Sequence, residues 1–483
     1  MADTRWTSPS CSRKTPPGPD RCWCAGPRPD TETSNEEGIM ADSGQGTLRI
    51  DYSGIGGGRG PATWGQRHIW ASFLDNRGNP ARFTLRRAWH VPVGRTVADV
   101  VGALRALVEQ HEALRTRFEV DRGALVQVVG QDGLLSCPVT DAAAEWSQEA
   151  ALRAASESVV AGFGPDEEPP VRFQILTFQG TPQWIVAAIS HLTVDAEACD
   201  RLQSDLHGLL TEAGTPSTAT CQPLQRARFE QSSEGRSQNA RALRHWRTVL
   251  ERHPEWLFPI RADSTHSWHG ERFAVVQAHA PGLGRHVERI ADRLRVSAPA
   301  LCVAAFCKAF AACSDATAYP LGVTLSNRVL SWSRGYIGTL AQHGVIGIRD
   351  VQTPLDQLAR QTWHSLLLSH RFSLYDQDDV FALISQMCGR ECDWFGPVAN
   401  FVNFQYLSSL SGVASPAEDP AGRELVFADL DPQKDSAVRF GLHIGSDATD
   451  LIIRMSVDQA CIRTESVREA IAGAASELWS ANG

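Results

Sequence analysis

The chain has 483 residues, 42% hydrophobic and 21% charged, a globular composition with room for two ordinary domains. Its 46 Lys and Arg against 55 Asp and Glu leave a net charge of −9, which argues against a nucleic-acid binder. No run of about 18 apolar residues is present, so no membrane span is expected; the N-terminus lacks the apolar segment of a secretory signal. The twelve cysteines form no even framework. Cys302, Cys307 and Cys313 sit in apolar helical sequence and read as buried thiols of an intracellular, cytoplasmic protein. Neither Cys22 and Cys24 nor Cys388 and Cys392 have a matching pair at zinc-site spacing, so no metal site is expected.

Residues 1–46 are rich in Pro, Ser, Thr, Gly and charge and are predicted to be a disordered tail, because they cannot bury enough surface to offset ordering entropy. Met40 opens a second plausible start, so residues 1–39 read as an over-extended gene start. Gly56–Gly58 extend the loose approach to the first element. The stretch TVADVVGALRALVEQHEAL carries Val97, Val100, Val101, Leu104, Leu107 and Val108 at helical spacing, with Thr96 as its N-cap. ALVQVV is a strand and AEWSQEAALRAASESVVAGF a second amphipathic helix. VRFQILTF and QWIVAAIS are strands joined by the turn Gln179-Gly180-Thr181-Pro182, and a helix follows from Asp195 to Leu210. Residues 212–240 are polar and look like a connection; the lobes are placed at 47–215 and 241–483, with the linker over 216–240. The second half repeats the αβ character. APALCVAAFCKAFAAC is a helix, and YPLGVTLSN and HGVIGIRD are strands. The helix PLDQLARQTWHSLLLSH is opened by Pro354. VANFVNFQYL, ELVFADL, VRFGLHIGSD and DLIIRMSVD are strands, and a last helix begins near Glu465. Two such halves predict two packed lobes with a ligand site where they meet.

The most informative segment is QWIVAAISHLTVDAEACDRL, an apolar strand that ends abruptly in Ser190-His191-Leu192-Thr193-Val194-Asp195. A histidine at the mouth of a core strand can be held in one orientation while its other nitrogen faces a cleft, as a general base near neutral pH requires. The same pattern also suits a hydrogen-bonded structural histidine at a strand end.

The blocks around it, in order, resemble condensation domains of nonribosomal peptide synthetases, whose hallmark is His-His-x-x-x-Asp-Gly. WGQRHIW (64–70) resembles the opening Gln-x-Arg-Leu-Trp block, and HEALRTRF (111–118) the His-Glu-x-Leu-Arg-Thr-x-Phe block. SHLTVDAEA is the hallmark block, and HWRTVL (245–250) resembles the Tyr-Trp-x-x-x-Leu segment. SNRVLSWSRGYIGTLAQHGVIGIR (326–349) follows the Asn/Gly-Arg and Ile-Gly-x-Phe-Val-Asn-Thr block, and VANFVNFQY also fits. The resemblance covers residues 60–480 or so. It implies an α/β fold of two chloramphenicol-acetyltransferase-like lobes, α+β two-layer sandwiches in a V-shaped pseudo-dimer, with His191 near the middle of a tunnel.

By this resemblance His191 is the catalytic histidine. It deprotonates the attacking amine or hydroxyl, or orients it and steadies the tetrahedral intermediate. Asp195 matches an aspartate that pairs with an arginine, here expected to be Arg115. Ser190 replaces the first, supportive histidine. Ala196 replaces the glycine beside the phosphopantetheine channel, where a methyl is the smallest intrusion. TLAQH (339–343) replaces Phe-Val-Asn-Thr, which makes His343 either a second titratable group at the cleft or a surface histidine at a strand end. Trp64, Trp70 and Trp184 are expected to pack rather than bind ligand. The arginines from Arg226 to Arg247 either greet an acidic carrier protein or form a solvated helix face.

No dinucleotide, Walker, nucleophile-elbow or metal-ligand motif competes. The resemblance implies a condensation enzyme, expected to be free-standing and to meet a carrier protein in trans. It would move an acyl group from a phosphopantetheine thioester to an amine. Two rivals stand beside it: an ester-forming relative with an alcohol acceptor or a coenzyme A donor, and a catalytically silent module that recruits a partner. An epimerase ranks last, since no Glu-Gly-His-Gly-Arg block is present.

Overall fold

The computed structural model describes residues 45–75, 80–157, 162–166, 169–211, 221–259, 272–389, 398, 400–406, 424–433, 439–446 and 449–481. Residues 1–39, the expected over-extended start, lie outside these, as do Cys22, Cys24 and Cys392. Gln45 and Gly46, counted with the tail from composition, begin the first strand, Gln45–Ser53. That strand is anchored along its length by antiparallel pairing with Asp132–Ala142.

The first half is built on a five-stranded sheet in the order Gln45–Ser53, Asp132–Ala142, Val171–Phe178, Thr181–Ser190, Thr84–His90. Thr96 and Asp99 form a capping box that starts the helix Val97–Gln110. Leu104 and Leu107 of that helix, and Leu202 of Ala196–Thr211, share a core with Ile175, Ile185, Ala187 and Ile189. The helix Gln148–Glu157 covers the opposite face through Ala151 and Ala155 on Leu176 and Val186. Being buried on both faces explains why Thr181–Ser190 reads as a continuous apolar run rather than an alternating one. Its hairpin turn needs left-handed backbone at Gln179 (φ 51°) and Gly180 (φ 75°), the requirement of a two-residue primed turn.

The second half is a seven-stranded sheet in the order Gln342–Arg349, Ala318–Leu325, Asn400–Tyr406, Phe440–Ser446, Leu451–Asp458, Phe273–Ala280, Val426–Gln433. Leu283–Leu294, Ala298–Phe310, Leu355–Arg371 and Thr464–Ser480 bury their apolar faces in the core on one side of it. Cys302 and Cys307 lie in that core, and burial pushes the Cys307 thiol up to about 12. A three-stranded sheet of Gly58–Pro61, Ala124–Val129 and Thr116–Asp121 completes the fold.

The stretch read as a connection is helical from Pro223: Pro223–Glu230 is followed by Ser233–Arg252. Ser232 caps the longer helix on the Gly235 N–H. Beyond Gly235 in its first turn, only a narrow stripe of Ala242, Trp246, Val249 and Leu250 is buried, so polar residues dominate its composition. Arg226 is not a solvated surface cation. It is buried, donates to Glu230 at 2.8 Å and lies 4.6 Å from the Trp332 ring centroid. Trp64 is buried beside it, and no helix among the described residues is long and apolar enough to cross a membrane.

Candidate active site

His191 follows the last residue of the strand Thr181–Ser190. Its backbone N–H donates to the Phe83 carbonyl at 2.8 Å, and the Ser190 carbonyl accepts the N–H groups of Thr193 and Val194. The chain therefore makes a tight turn between the strand and the helix Ala196–Thr211. The ring of His191 folds back within this turn, with Nδ1 2.8 Å from the Val194 carbonyl oxygen. A carbonyl can only accept, so Nδ1 carries the proton and Nε2 keeps its lone pair. Burial pulls the imidazole below its ordinary 6.5, against the opposing pulls of the Val194 carbonyl and Asp195. The half-buried ring is thus neutral at neutral pH with an open basic nitrogen.

Asp195 does not pair with Arg115. Its partner is Arg328 of the second half, in a two-pronged ion pair with both N···O distances 2.8 Å and side-chain exposures of 3% and 2%. Asp195 also accepts the N–H groups of Ala198 at 2.9 Å, Leu340 at 2.8 Å and Ala341 at 3.0 Å. One carboxylate therefore caps the helix after the hallmark turn and fastens that turn to the opposite half. Burial drives its carboxyl upward, and Arg328 with the backbone N–H donors more than offsets this, holding it below its ordinary 3.8. Arg328 is aimed by Asn327, whose left-handed backbone (φ 61°) is one asparagine tolerates. The Asn327 amide donates to the Leu340 carbonyl at 2.8 Å. Thr339 adds a second link, donating to the His191 carbonyl at 3.0 Å. A Cβ at Gly65 would sit 2.0 Å from the Thr339 carbonyl oxygen, so only glycine lets the helix Trp64–Asp75 pass here.

Arg115 is fully buried elsewhere. Its guanidinium donates to the carbonyls of Val108 at 3.0 Å and Gly56 at 3.1 Å, and to that of Gly130. It organises the loop after the first strand through these backbone oxygens.

Ser190 is buried at the strand end, and Ala196 is half-buried at the first helical position, its carbonyl 3.4 Å from Arg87. His343 packs against the first half: its ring centroid is 4.6 Å from that of His68, edge to face. The Tyr375 hydroxyl holds the His343 carbonyl at 2.5 Å. Burial and the neighbouring His68 and His443 push His343 well below 6.5. His68 bonds through Nδ1 to Gln377, and burial lowers it to about 4. Reading the sequence overlooked His68, although it occupies the arginine position of the Gln-x-Arg-Leu-Trp block. No group of three or more metal-type side chains is gathered among the described residues. A cavity of about 1090 Å³ bordered by Trp64, Arg67, Arg122 and Glu230 includes none of these site residues, and its size alone assigns it no chemistry.

The family model for the condensation domain matches residues 66–339. Among curated proteins, a component of the linear gramicidin synthase of Brevibacillus parabrevis is 27% identical over 224 residues, 42% of this chain and 4% of that protein. The chain thus spans only a small fraction of that relative's length. Among solved structures, the condensation domain that mediates chain release from the enacyloxin polyketide synthase superposes with a TM-score of 0.66 at 18% identity, covering 87% of this chain and 82% of that one. The SgcC5 protein of Streptomyces globisporus gives 0.65 at 16% identity, with 87% and 98% covered. The starter condensation domain of rhizomide synthetase RzmA, solved with C8-CoA, gives 0.63 at 17% identity, with 88% and 96% covered. At these identities the structures speak to the fold, which is chloramphenicol-acetyltransferase-like.

Proposed function

From the premise that this chain belongs to the condensation-domain family, whose activity is acyl transfer in assembly-line biosynthesis, we propose that it forms an amide by moving an acyl group from a carrier-protein thioester to an amine. The observation that carries this reading is the His191 ring, locked by Nδ1 on the Val194 carbonyl. The acceptor nitrogen adds to the thioester carbonyl carbon while Nε2 takes its proton. The C–S bond then breaks, and that proton passes to the departing pantetheine thiolate. Asp195 and Arg328 act one layer back, by holding the turn that presents the ring. An alcohol acceptor would use the same base and give an ester, and the RzmA domain solved with C8-CoA favours coenzyme A as a second donor carrier. The silent-module reading draws on Ser190 and Ala196, but nothing in the posture of His191 favours it. Mass spectrometry of an acylated carrier protein, incubated with amines or alcohols, tests the reading through loss of the acyl group from the pantetheine thiol.

Two further results are expected. The base works only when neutral, so a lowered imidazole pKa moves the acid limb of kcat/KM to lower pH. Activity should hold through neutrality and fall with a midpoint below 6.5; a midpoint above that value in a pH–rate profile contradicts the assigned base. Ala196→Gly should be tolerated, whereas Ala196→Trp should stay folded by circular dichroism yet lose transfer from a carrier-bound donor. Alanine is at home at a helix start, so the effect is on the substrate arm and not on backbone strain. A folded, fully active Ala196→Trp protein would mean that no donor arm passes this residue.

A further inference from the structure

One face of the seven-stranded sheet holds the core and the other holds a polar row. Leu442 and Ile444, Ile453 and Met455, and Val276 and Ala278 are core residues, so strand alternation turns His443, Arg454 and Gln277 to the opposite face. Register sets them side by side: Asn403 faces His443, His443 faces Arg454, and Arg454 faces Gln277. At the other end Thr324 faces His343, its hydroxyl 3.3 Å from Nδ1. Since His343 abuts His68 of the first half, the row runs along the wall opposite the hallmark turn. Arg82, next to the Phe83 whose carbonyl holds the His191 N–H, brings its charge to bear on His443.

The row has a sign. Arg454 donates from Nε at 3.2 Å and Nη2 at 3.0 Å to one oxygen, the Gln277 amide. It makes no ion pair among the described residues, and burial lowers its guanidinium pKa. Asn403, His443, Arg454, Gln277, Thr324 and His343 include no acid, in a chain with a net charge of −9. A half-buried guanidinium braced by a neutral amide is built to receive an anion, and its fork matches a carboxylate.

We propose that Arg454, with His443 beside it, binds a carboxylate of the acceptor, so that the acceptor is an amine or alcohol that also carries a free acid. This rests on the acyl-transfer reading, in which the acceptor lies in the cleft between the two walls. The competing source of negative charge is the phosphate of the donor's pantetheine or coenzyme A arm.

The test compares wild type, Arg454→Gln and His191→Ala. The acceptor probes are γ-aminobutyrate and ε-aminocaproate, each against its primary amide. The donors are the octanoyl thioesters of coenzyme A and of N-acetylcysteamine, which has no phosphate. In the wild type the acids should have a KM roughly 10- to 100-fold below the amides, the range of a charge-assisted hydrogen bond. Arg454→Gln should erase that preference with little change in kcat and no dependence on the donor. Calorimetric binding of the acids to His191→Ala should keep the preference, so the site is read independently of turnover. If binding discriminates but no protein transfers, the acyl-transfer reading fails and the carboxylate site stands. Three results overturn the site: no acid–amide discrimination in the wild type, an equal loss for acid and amide in Arg454→Gln, or a loss confined to the coenzyme A donor.

Discussion

Replacing Asp195 with alanine is expected to remove about 3–5 kcal/mol of stability, the cost of stranding one member of a buried ion pair. Arg328 would keep its charge at 2% side-chain exposure with its main counter-ion gone. The N–H groups of Ala198, Leu340 and Ala341 would lose their common acceptor. Arg328→Met should be costly for the converse reason, and the double variant should lose less than the sum of the two, since neither charge is then stranded. Arg115→Met should also destabilise, but its cost should add to that of Asp195→Ala, because the two side chains share no hydrogen-bond partner. Urea unfolding of the three single variants and the two double variants checks this; coupling of Asp195 to Arg115 instead of Arg328 would contradict the pairing. The pH dependence has a definite sign. The folded carboxyl lies below its ordinary 3.8, so the pair's contribution is complete above that value and is lost as pH falls through the lower folded one.

Much of the fold was legible because the periodicities are strong. Val97–Gln110 carries its apolar stripe and its Thr96–Asp99 box in the sequence itself. The hairpin into Thr181–Ser190 is marked by Gln179-Gly180, and His191 stands out because an apolar run stops there. The helices Pro223–Glu230 and Ser233–Arg252 were legible only as a helix face over Arg226–Arg247: the burial of Arg226 and Glu230 in the first, and the narrow buried stripe of the second, come from docking rather than composition. The choice between Arg115 and Arg328 could not be made locally. Both are buried arginines in blocks that resemble the family's, and sequence alone does not distinguish a guanidinium satisfied by carbonyls from one satisfied by a carboxylate. The available signal was Asn327-Arg328, where an asparagine suited to left-handed backbone precedes the arginine and can turn it inward. His343 could have been a surface residue on its pattern; its contact with His68 depends on a pairing of halves that no local sequence encodes.

His191→Ala is expected to lower acyl transfer by roughly 100-fold to 10,000-fold, the usual worth of a positioned general base. The fold should survive, because the groups that hold the turn are backbone atoms and Asp195: the His191 N–H on Phe83, its carbonyl on Thr339, and the carboxylate on Arg328. Only the bond from Nδ1 to the Val194 carbonyl is lost. His68 and His343 are not expected to substitute for the missing base, since burial lowers His68 to about 4 and holds His343 well below 6.5, which makes both rings weak bases. The direct measurement is single-turnover transfer from an acylated carrier protein to an amine or alcohol acceptor that the wild type uses, with the acyl group on the pantetheine thiol followed by mass spectrometry in wild type and His191→Ala. The account predicts that the wild type empties the carrier into product while the variant, with an unchanged melting curve, leaves it acylated over the same interval. Transfer at the wild-type rate by a folded His191→Ala protein would contradict it.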